Sequence, residues 1–447
     1  ARSARAAIAS ARRAVEAAKR QHGPRSPDAL RAASELALLL EEQGEATEEV
    51  GALLRDVLDG LSEQLGPDHP DSLRAAHNTA VFLDNSGEVG SALPLYRRAA
   101  EGRRRQLGPD HPDTLDSAYN LALFLQNAGE LAEAETLLRE ALAGCRRAFG
   151  ERHRSSLDCM ERLAEVLVQV RSEAASAGAD LGSEEELVPL CRRLLEGRDA
   201  QRGGGGQDAL RAALLLLDAL TIGRASSEEL DEEAERAHAD CVRRHGEVLG
   251  PGDPATLELT FRLAGRLAGR GEEARAEEVL RGGREAAAQR LGQESGAALS
   301  YDDELAVLLA GTGQAAAAEP LFRHVLEARR GSLGPMHEDT LRSAHNLAVL
   351  LDSTGRRAEA GKLYRSVHAD RAKALGDAHP KTVEAAYNLA VHLDACARDG
   401  PAAEGERAGA EAAELFRAAH GHLVAQFGPE DERAVACAAR VQQASGC

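Results

Sequence analysis

Tryptophan is absent from the 447 residues, methionine occurs twice, and aromatic residues make up only 3%. A core built on ring packing is thereby excluded. The 43% of hydrophobic residues must fill the interior mainly as Ala, Leu and Val, a composition suited to closely packed helices. Positive charge is also scarce: 54 basic residues stand against 73 acidic ones, for a formal net charge of −19. That balance offers no overall footprint for a phosphate backbone or an anionic bilayer, so neither nucleic acid nor a membrane is expected as a partner. No apolar run approaches the ~18 residues of a membrane span, and the aliphatic stretch Leu214–Leu217 is broken within a turn or two. The seven cysteines, at 145, 159, 191, 241, 396, 437 and 447, are odd in number and never spaced C-x-x-C. This argues against a disulfide framework and a zinc site, and for a reducing, cytoplasmic setting.

Catalytic signatures are missing as well. There is no H-E-x-x-H, no G-x-S-x-G and no strand-bracketed G-x-G-x-x-G. The nearest phosphate-loop mimic, GRRAEAGKL from Gly355, has five residues between its glycines instead of four, and Leu in place of Ser or Thr. His420 and His422, two apart in a helical stretch, point in different directions and are expected at the surface, not on a shared metal. Cys145, Cys191 and Cys241 fall near apolar stripe positions, where thiols act as small packing groups. No catalytic residue, metal ligand or cofactor is therefore expected, and the chain reads as a non-enzyme.

What the chain has in abundance is one motif. LGPDHPDTL from Leu107 is echoed from Leu65, Phe149, Leu249, Leu291, Leu333 and Leu375. The starts 65, 107 and 149, and again 249, 291, 333 and 375, are each 42 residues apart, which signals stacked repeats. Within one period Leu115, Ala118, Leu121, Ala122 and Leu125 form a helical stripe that ends at Gly129. A second stripe runs through Leu131, Ala134, Leu138, Ala141 and Leu142 to Gly150. These are a helix A and a longer helix B.

The pattern N-L-A…L…G…A…A in the periods of Leu115 and Leu341, and in part elsewhere, resembles the tetratricopeptide repeat. The long period and the L-G-P-x-H-P junction resemble the variant found in kinesin light chains and nephrocystin-like scaffolds. The usual repeat is ~34 residues, so about eight extra residues are placed as two further turns at the end of helix B. Helix A then starts its stripe at Leu30, Leu73, Leu115, Leu157, Leu210, Leu257, Leu299, Leu341 and Val383, giving nine helix pairs. The resemblance implies an all-α fold, an α-α superhelix: a right-handed solenoid of tetratricopeptide helix hairpins. The pattern is most complete in the pairs at Leu73, Leu115, Leu341 and Val383, and least in those at Leu157 and Leu210.

The expected organisation follows. Residues 1–22 are the last helix of a preceding repeat, 23–201 the first four pairs, 202–207 a glycine-rich joint, 208–431 five more pairs and 432–447 a terminal helix. The opening stretch reads as mid-helix, so the chain is expected to be a piece of a longer protein. From Phe149 to Leu249 there are 100 residues where two periods take 84. The surplus is expected in turns at 172–183 and around IGRASSEEL, and a further loop insert is expected near 397–406. Residues 172 to 240 hold 16 acidic and seven basic residues, and their run SEELDEEAE reads as a solvated helix face.

In the tetratricopeptide family, helix A lines a concave groove that takes peptide segments. Carried over residue by residue, the resemblance assigns groove positions to Arg74, His77, Asn78, Val81, Asp84 and Asn85, then to Asp116, Tyr119, Asn120, Leu123, Gln126 and Asn127. Further along it assigns Arg342, His345, Asn346, Val349 and Asp352, then Glu384, Tyr387, Asn388, Val391 and Asp394. The Asn ladder at 78, 120, 346 and 388 carries carboxamides, which both donate to and accept from a peptide backbone. Bridging between neighbouring helices is the competing role for these asparagines, and inter-unit packing is the competing role for the tyrosines and histidines. The acidic-peptide preference of kinesin light chains is not expected to carry over, because Asp84, Asp352 and Asp394, with Glu41 and Glu42, stand at inward positions.

The resemblance therefore implies a non-enzymatic scaffold or adaptor that binds peptide segments of partner proteins. The alternative is the regulatory repeat region of a larger enzyme or signalling ATPase whose catalytic domain lies outside this chain. Cargo transport would also need a coiled coil, which this sequence does not show. The connector itself reads as structure: Gly108 ends a helix, Pro109 stops it, and His111 is held extended before Pro112. The histidine recurs as His69, His153, His337 and His379 but is replaced by Asp253 and Ser295, as suits a hinge and not a catalyst.

Overall fold

The computed structural model describes residues 2–43, 47–177, 186–201, 206–222, 228–399, 402–428 and 430–445. Among them are twenty helices and no strand. The A helices are α2 (Pro27–Glu42), α4 (Pro70–Asn85), α6 (Pro112–Asn127), α8 (Arg154–Ser176), α10 (Gln207–Thr221), α12 (Pro254–Gly269), α14 (Gly296–Gly311), α16 (Glu338–Ser353) and α18 (Pro380–Asp399). The B helices are α3 (Thr47–Leu65), α5 (Val89–Leu107), α7 (Leu131–Phe149), α9 (Leu187–Ala200), α11 (Glu228–Val248), α13 (Glu273–Leu291), α15 (Ala315–Leu333), α17 (Arg357–Leu375) and α19 (Ala402–Phe427). A lone α1 (Arg2–His22) precedes the nine pairs and α20 (Glu432–Ser445) follows them.

The chain divides into two compact units, residues 1–237 and 238–447. From α1 to α10 in the first, and from α12 to α20 in the second, each helix packs against its successor. Successive A helices also touch, α6 with α8, α8 with α10, α12 with α14 and α14 with α16. Each unit has its own core. Leu54, Leu138, Leu157 and Met160 are fully buried in the first, and Tyr301, Phe322 and Phe416 in the second. Burial of such stripes against neighbouring helices is the main stabilising force, since most of these helices have little propensity-driven stability alone.

Helices A and B of a pair approach closely because the stripe leucine lies over a glycine. A Cβ on Gly144 would stand 2.5 Å from Leu115 Cδ2, and one on Gly102 2.4 Å from Leu73 Cδ2. The connector follows from local chemistry as well. Gly108 closes α5 with φ 88°, a left-handed conformation that residues with a Cβ rarely adopt. His111 then takes extended backbone, and its Nδ1 accepts from Asp113 N at 3.2 Å, making it the N-cap of α6 with Pro112 in the first turn. Asp253 Oδ1 caps α12 through Ala255 N at 3.0 Å, and Ser295 Oγ caps α14 through Ala298 N at 3.3 Å. The three residue types interchange because each offers an acceptor to an orphan helix amide.

Helix occupies part of two stretches expected as loops. Residues 172–176 continue α8, which is 23 residues long instead of the usual 16; residues 178–185 lie outside the described residues. The surplus near 397–406 lengthens α18 to 20 residues and α19 to 26, leaving only 400 and 401 outside the described residues. Alanine-rich, charged inserts of this kind sustain helix where a turn was expected. Of the proposed joint at 202–207, residues 202–205 lie outside the described residues, while Gly206 caps α10. The phosphate-loop mimic falls across the turn from α16 to α17, with Gly355 at φ 80°.

Candidate functional site

The A helices present the same register: the stripe residue is buried, except for the partly buried Leu257 of α12, and the positions one, four, five, eight and eleven further on share one side. In the first unit this side is lined on α4 and α6. Arg74 is exposed and paired with Asp71 of its own helix at 2.9 Å. His77 is buried edge-on against Tyr96 at 6.2 Å between ring centroids. Its imidazole pKa is held down by burial and then by the charge of Arg103, with Asp116 and Asp113 opposing. Asn120 Nδ2 lies 3.4 Å from His77 Nε2, and Asp116, itself exposed, lies 3.5 Å from the same nitrogen. His77, Asp116 and Asn120 thus link α4 to α6. Asn78 and Tyr119 are half-buried, burial raising the Tyr119 pKa, and Asn85 and Asn127 are exposed.

In the second unit the corresponding side lies on α16 and α18. His345 meets Tyr364 edge-on at 5.7 Å, its pKa lowered by burial and then by Arg371. Asn346 Nδ2 donates to Asp303 Oδ1 of α14 at 3.4 Å. Arg342 is held by Asp339 at 3.1 Å. Tyr387 packs edge-on against Phe416 at 5.8 Å, and Asn388 is half-buried. Asn120 and Asn346 therefore both reach an adjacent A helix, while Asn78 and Asn388 keep half-exposed carboxamides.

The inward aspartates are not open charges. Asp84 accepts from Tyr96 Oη at 3.4 Å, Asp352 lies 3.0 Å from His392 Nδ1, and Asp394 pairs with Arg440 at 2.5 Å and Arg398 at 3.3 Å. What stays open is a row of valines eight residues beyond the stripe start: Val307, Val349 and Val391, on α14, α16 and α18, are 44%, 47% and 37% exposed. Beside them is Glu304, half-buried at the asparagine step of α14. Sequence reasoning included Val349 and Val391 but missed Val307 and Glu304, although Leu299 plus eight and plus five point to both. The stretch YDDELAVLLA lacks the N-L-A that drew attention to its neighbours.

The cysteines behave as small core groups: Cys145, Cys159, Cys191, Cys241 and Cys437 are buried, and burial pushes the Cys191 thiol up to about 12. His420, expected at the surface, is half-buried, with Nδ1 2.9 Å from Ala434 O on α20. Among the described residues no group of three or more His, Cys, Asp or Glu is arranged to hold a metal ion, and no helix is long and apolar enough to cross a membrane.

Comparison with known proteins adds the following. The family model described as tetratricopeptide repeat matches residues 72–113 and 114–155, and a second model of the same description matches 296–369. No curated protein sequence matches the chain. Among solved structures, a putative kinesin light chain with nearly identical TPR-like repeats from Podosopora anserina is similar at 22% identity and a TM-score of 0.40, over 50% of this chain and 97% of that one. BtubC (BKLC) from P. vanneervenii is similar at 21% identity and a TM-score of 0.41, over 54% of this chain and 89% of that one. A Signal Transduction ATPase with Numerous Domains protein with a tetratricopeptide repeat sensor, from Pyrococcus horikoshii, aligns over 85% of this chain and 54% of that one, at 10% identity and a TM-score of 0.42.

Proposed function

Starting from residues 72–155 and 296–369 as tetratricopeptide repeats, we propose that the chain is a non-enzymatic scaffold whose A-helix faces bind peptide segments of partner proteins. Such repeats generally mediate protein–protein interaction. The observation that carries the reading here is the open valine row of the second unit, Val307, Val349 and Val391, flanked by the half-buried carboxamides of Asn346 and Asn388. Apolar side chains left exposed at one register on successive helices give a linear segment a place to bury its own, and the carboxamides serve its backbone. On the first unit Val81 and Leu123, both half-buried, with Asn78 and Asn120, form a shorter version of the same surface.

The test is a selection of random displayed peptides on the whole chain, followed by titration of the selected peptides against a variant with Asn78, Asn120, Asn346 and Asn388 changed to Ala. The reading expects sequence-related binders whose affinity drops in the variant at unchanged helicity. Selected peptides that bind the variant as tightly as the parent chain would remove the A-helix faces from consideration.

A further inference from the structure

We infer that the α14–α16–α18 face takes a linear protein segment combining aliphatic side chains with lysine or arginine, the cation seated at Glu304. This rests on the peptide-binding reading above and adds the polarity of the partner. Glu304 lies one turn before Val307 and, among the described residues, has no hydrogen bond or ion pair of its own. The neighbouring groups are already committed: Asp303 receives Arg329 at 2.9 Å and Asn346 at 3.4 Å, and Arg342 faces Asp339 at 3.1 Å. Burial and then Asp303 push the Glu304 carboxyl above its usual range, with Arg342 opposing. A half-desolvated carboxylate of this kind gains most from an ammonium or guanidinium brought by a ligand. Glu384, exposed on α18, adds the same sign at the far end. Arg262 on α12 holds the step before Glu304, so the seat begins at α14. An acidic segment would lay like charge on Glu304 and Glu384, which selects against it.

Two dye-labelled pools of linear peptides test this on the full chain, one of Val, Leu, Lys and Arg, the other of Val, Leu, Asp and Glu. The basic pool is expected to bind at least about tenfold more tightly at low salt, the advantage shrinking in Glu304→Gln and reversing in Glu304→Lys. Equal binding of both pools, or preference for the acidic pool, overturns the polarity. Val349→Asp separates the two levels: if it abolishes the binding seen, the face itself stands whatever its charge preference. If neither pool binds, or binding ignores Val349→Asp, the face falls too.

A separate observation concerns α7 and α8 of the first unit. Cys145 stands one period (145−103=42) after Arg103, and Cys159 one period (159−117=42) after Ser117. Arg103 Nη1 donates to Ser117 Oγ at 2.6 Å, and Arg329 Nη1 to Ser343 Oγ at 2.7 Å, each tying a B helix to the next A helix. At α7 and α8 that tie is replaced by two buried thiols with Sγ atoms 3.8 Å apart. Both wall a cleft of about 330 Å³ together with Tyr119 and Asp116.

The geometry points to a reversible disulfide clamp between Cys145 and Cys159, closed by a hydroperoxide and opened by a dithiol. The Cys145 thiolate attacks the peroxide oxygen, becoming a sulfenic acid as water leaves. The Cys159 thiol then attacks that sulfur and a second water leaves, so two thiols and one H2O2 give one disulfide and two waters. A hydrogen bond from Cys159 holds the Cys145 thiol below its ordinary range, against burial. Treatment with H2O2 followed by alkylation in denaturant and mass spectrometry should join the peptides carrying 145 and 159 and spare Cys191, with a higher unfolding midpoint that dithiothreitol reverses. Cys145→Ser and Cys159→Ser should each lose both effects, while Cys191→Ser keeps them. Free, alkylatable Cys145 and Cys159 after oxidation overturn the clamp, as does an unchanged midpoint shift in Cys145→Ser.

Discussion

Helix α8 follows the α4–α6 pair of the first unit and α14 precedes the α16–α18 pair of the second, and the two dispose of their charges differently. On α8 the inward positions are Glu161, Arg162 and Glu165; on α14 they are Asp303, Glu304 and Val307. Glu161, with a side chain 8% exposed, receives Arg198 at 2.6 Å and Arg211 at 2.8 Å, and Arg162 pairs with Glu165 at 2.5 Å. Every charge at these three positions of α8 is answered from within the unit. On α14 only Asp303 is answered, leaving Glu304 and Val307 for something else. Repeat position alone therefore does not make a binding surface. The neighbours decide whether an inward side chain is structural or available.

The largest effect should come from the closed side. Glu161→Ala takes from Arg198, whose side chain is 3% exposed, its most buried and closest partner, leaving Asp158 at 2.7 Å and Asp208 at 3.9 Å. A loss of about 3–5 kcal/mol is expected on removing one partner of a buried pair, read by urea denaturation. A loss near zero would mean that α8 is as open as α14. On the open side, changing Asn346 and Asn388 to Ala should weaken a selected peptide by roughly tenfold, about 1.4 kcal/mol. The same change at Asn78 and Asn120, on the shorter face that ends at α8, should cost clearly less in the same titration.

Where the units share chemistry, they should respond alike. His111→Ala removes the cap of α6 and should cost about 1 kcal/mol, whereas His111→Asp, borrowing the cap of α12, should restore it in thermal unfolding. The smallest effect concerns pH. The Glu304 carboxyl is raised above its ordinary value of 4.5, so its ionisation costs the folded state stability at neutral pH. That cost disappears as pH falls through the raised value and below 4.5, where both states are protonated. Glu304→Gln should thus be slightly more stable than the parent at pH 7, with the gap closing on acidification; a gap that widens on acidification contradicts the assignment.

The helix pairs were legible in the sequence because a period of 42 residues, a leucine stripe and a glycine-proline connector coincide, each with its own physical cause. The two inserts were not legible as helix. A count of surplus residues says how many there are, and only packing decides that 172–176 and 402–406 continue helices. Within the candidate faces, the asparagines and tyrosines stood out by repetition. That Asp84, Asp352 and Asp394 are spoken for by Tyr96, His392 and Arg440 could not be read from their spacing, since these partners sit on other helices. Glu304 was hidden for the opposite reason, being the one departure from an asparagine on α14, α16 and α18.

The claim that the valine row of the second unit is a peptide seat is tested most directly by fluorescence-polarisation titration of a peptide selected on the full chain. Val349→Asp, in the middle of the row, is compared with Glu327→Ala, an exposed change on the B helix α15. The account predicts at least about a tenfold loss of affinity for the first, as for an apolar anchor, and none for the second. Equal affinity of the parent chain and Val349→Asp would contradict it.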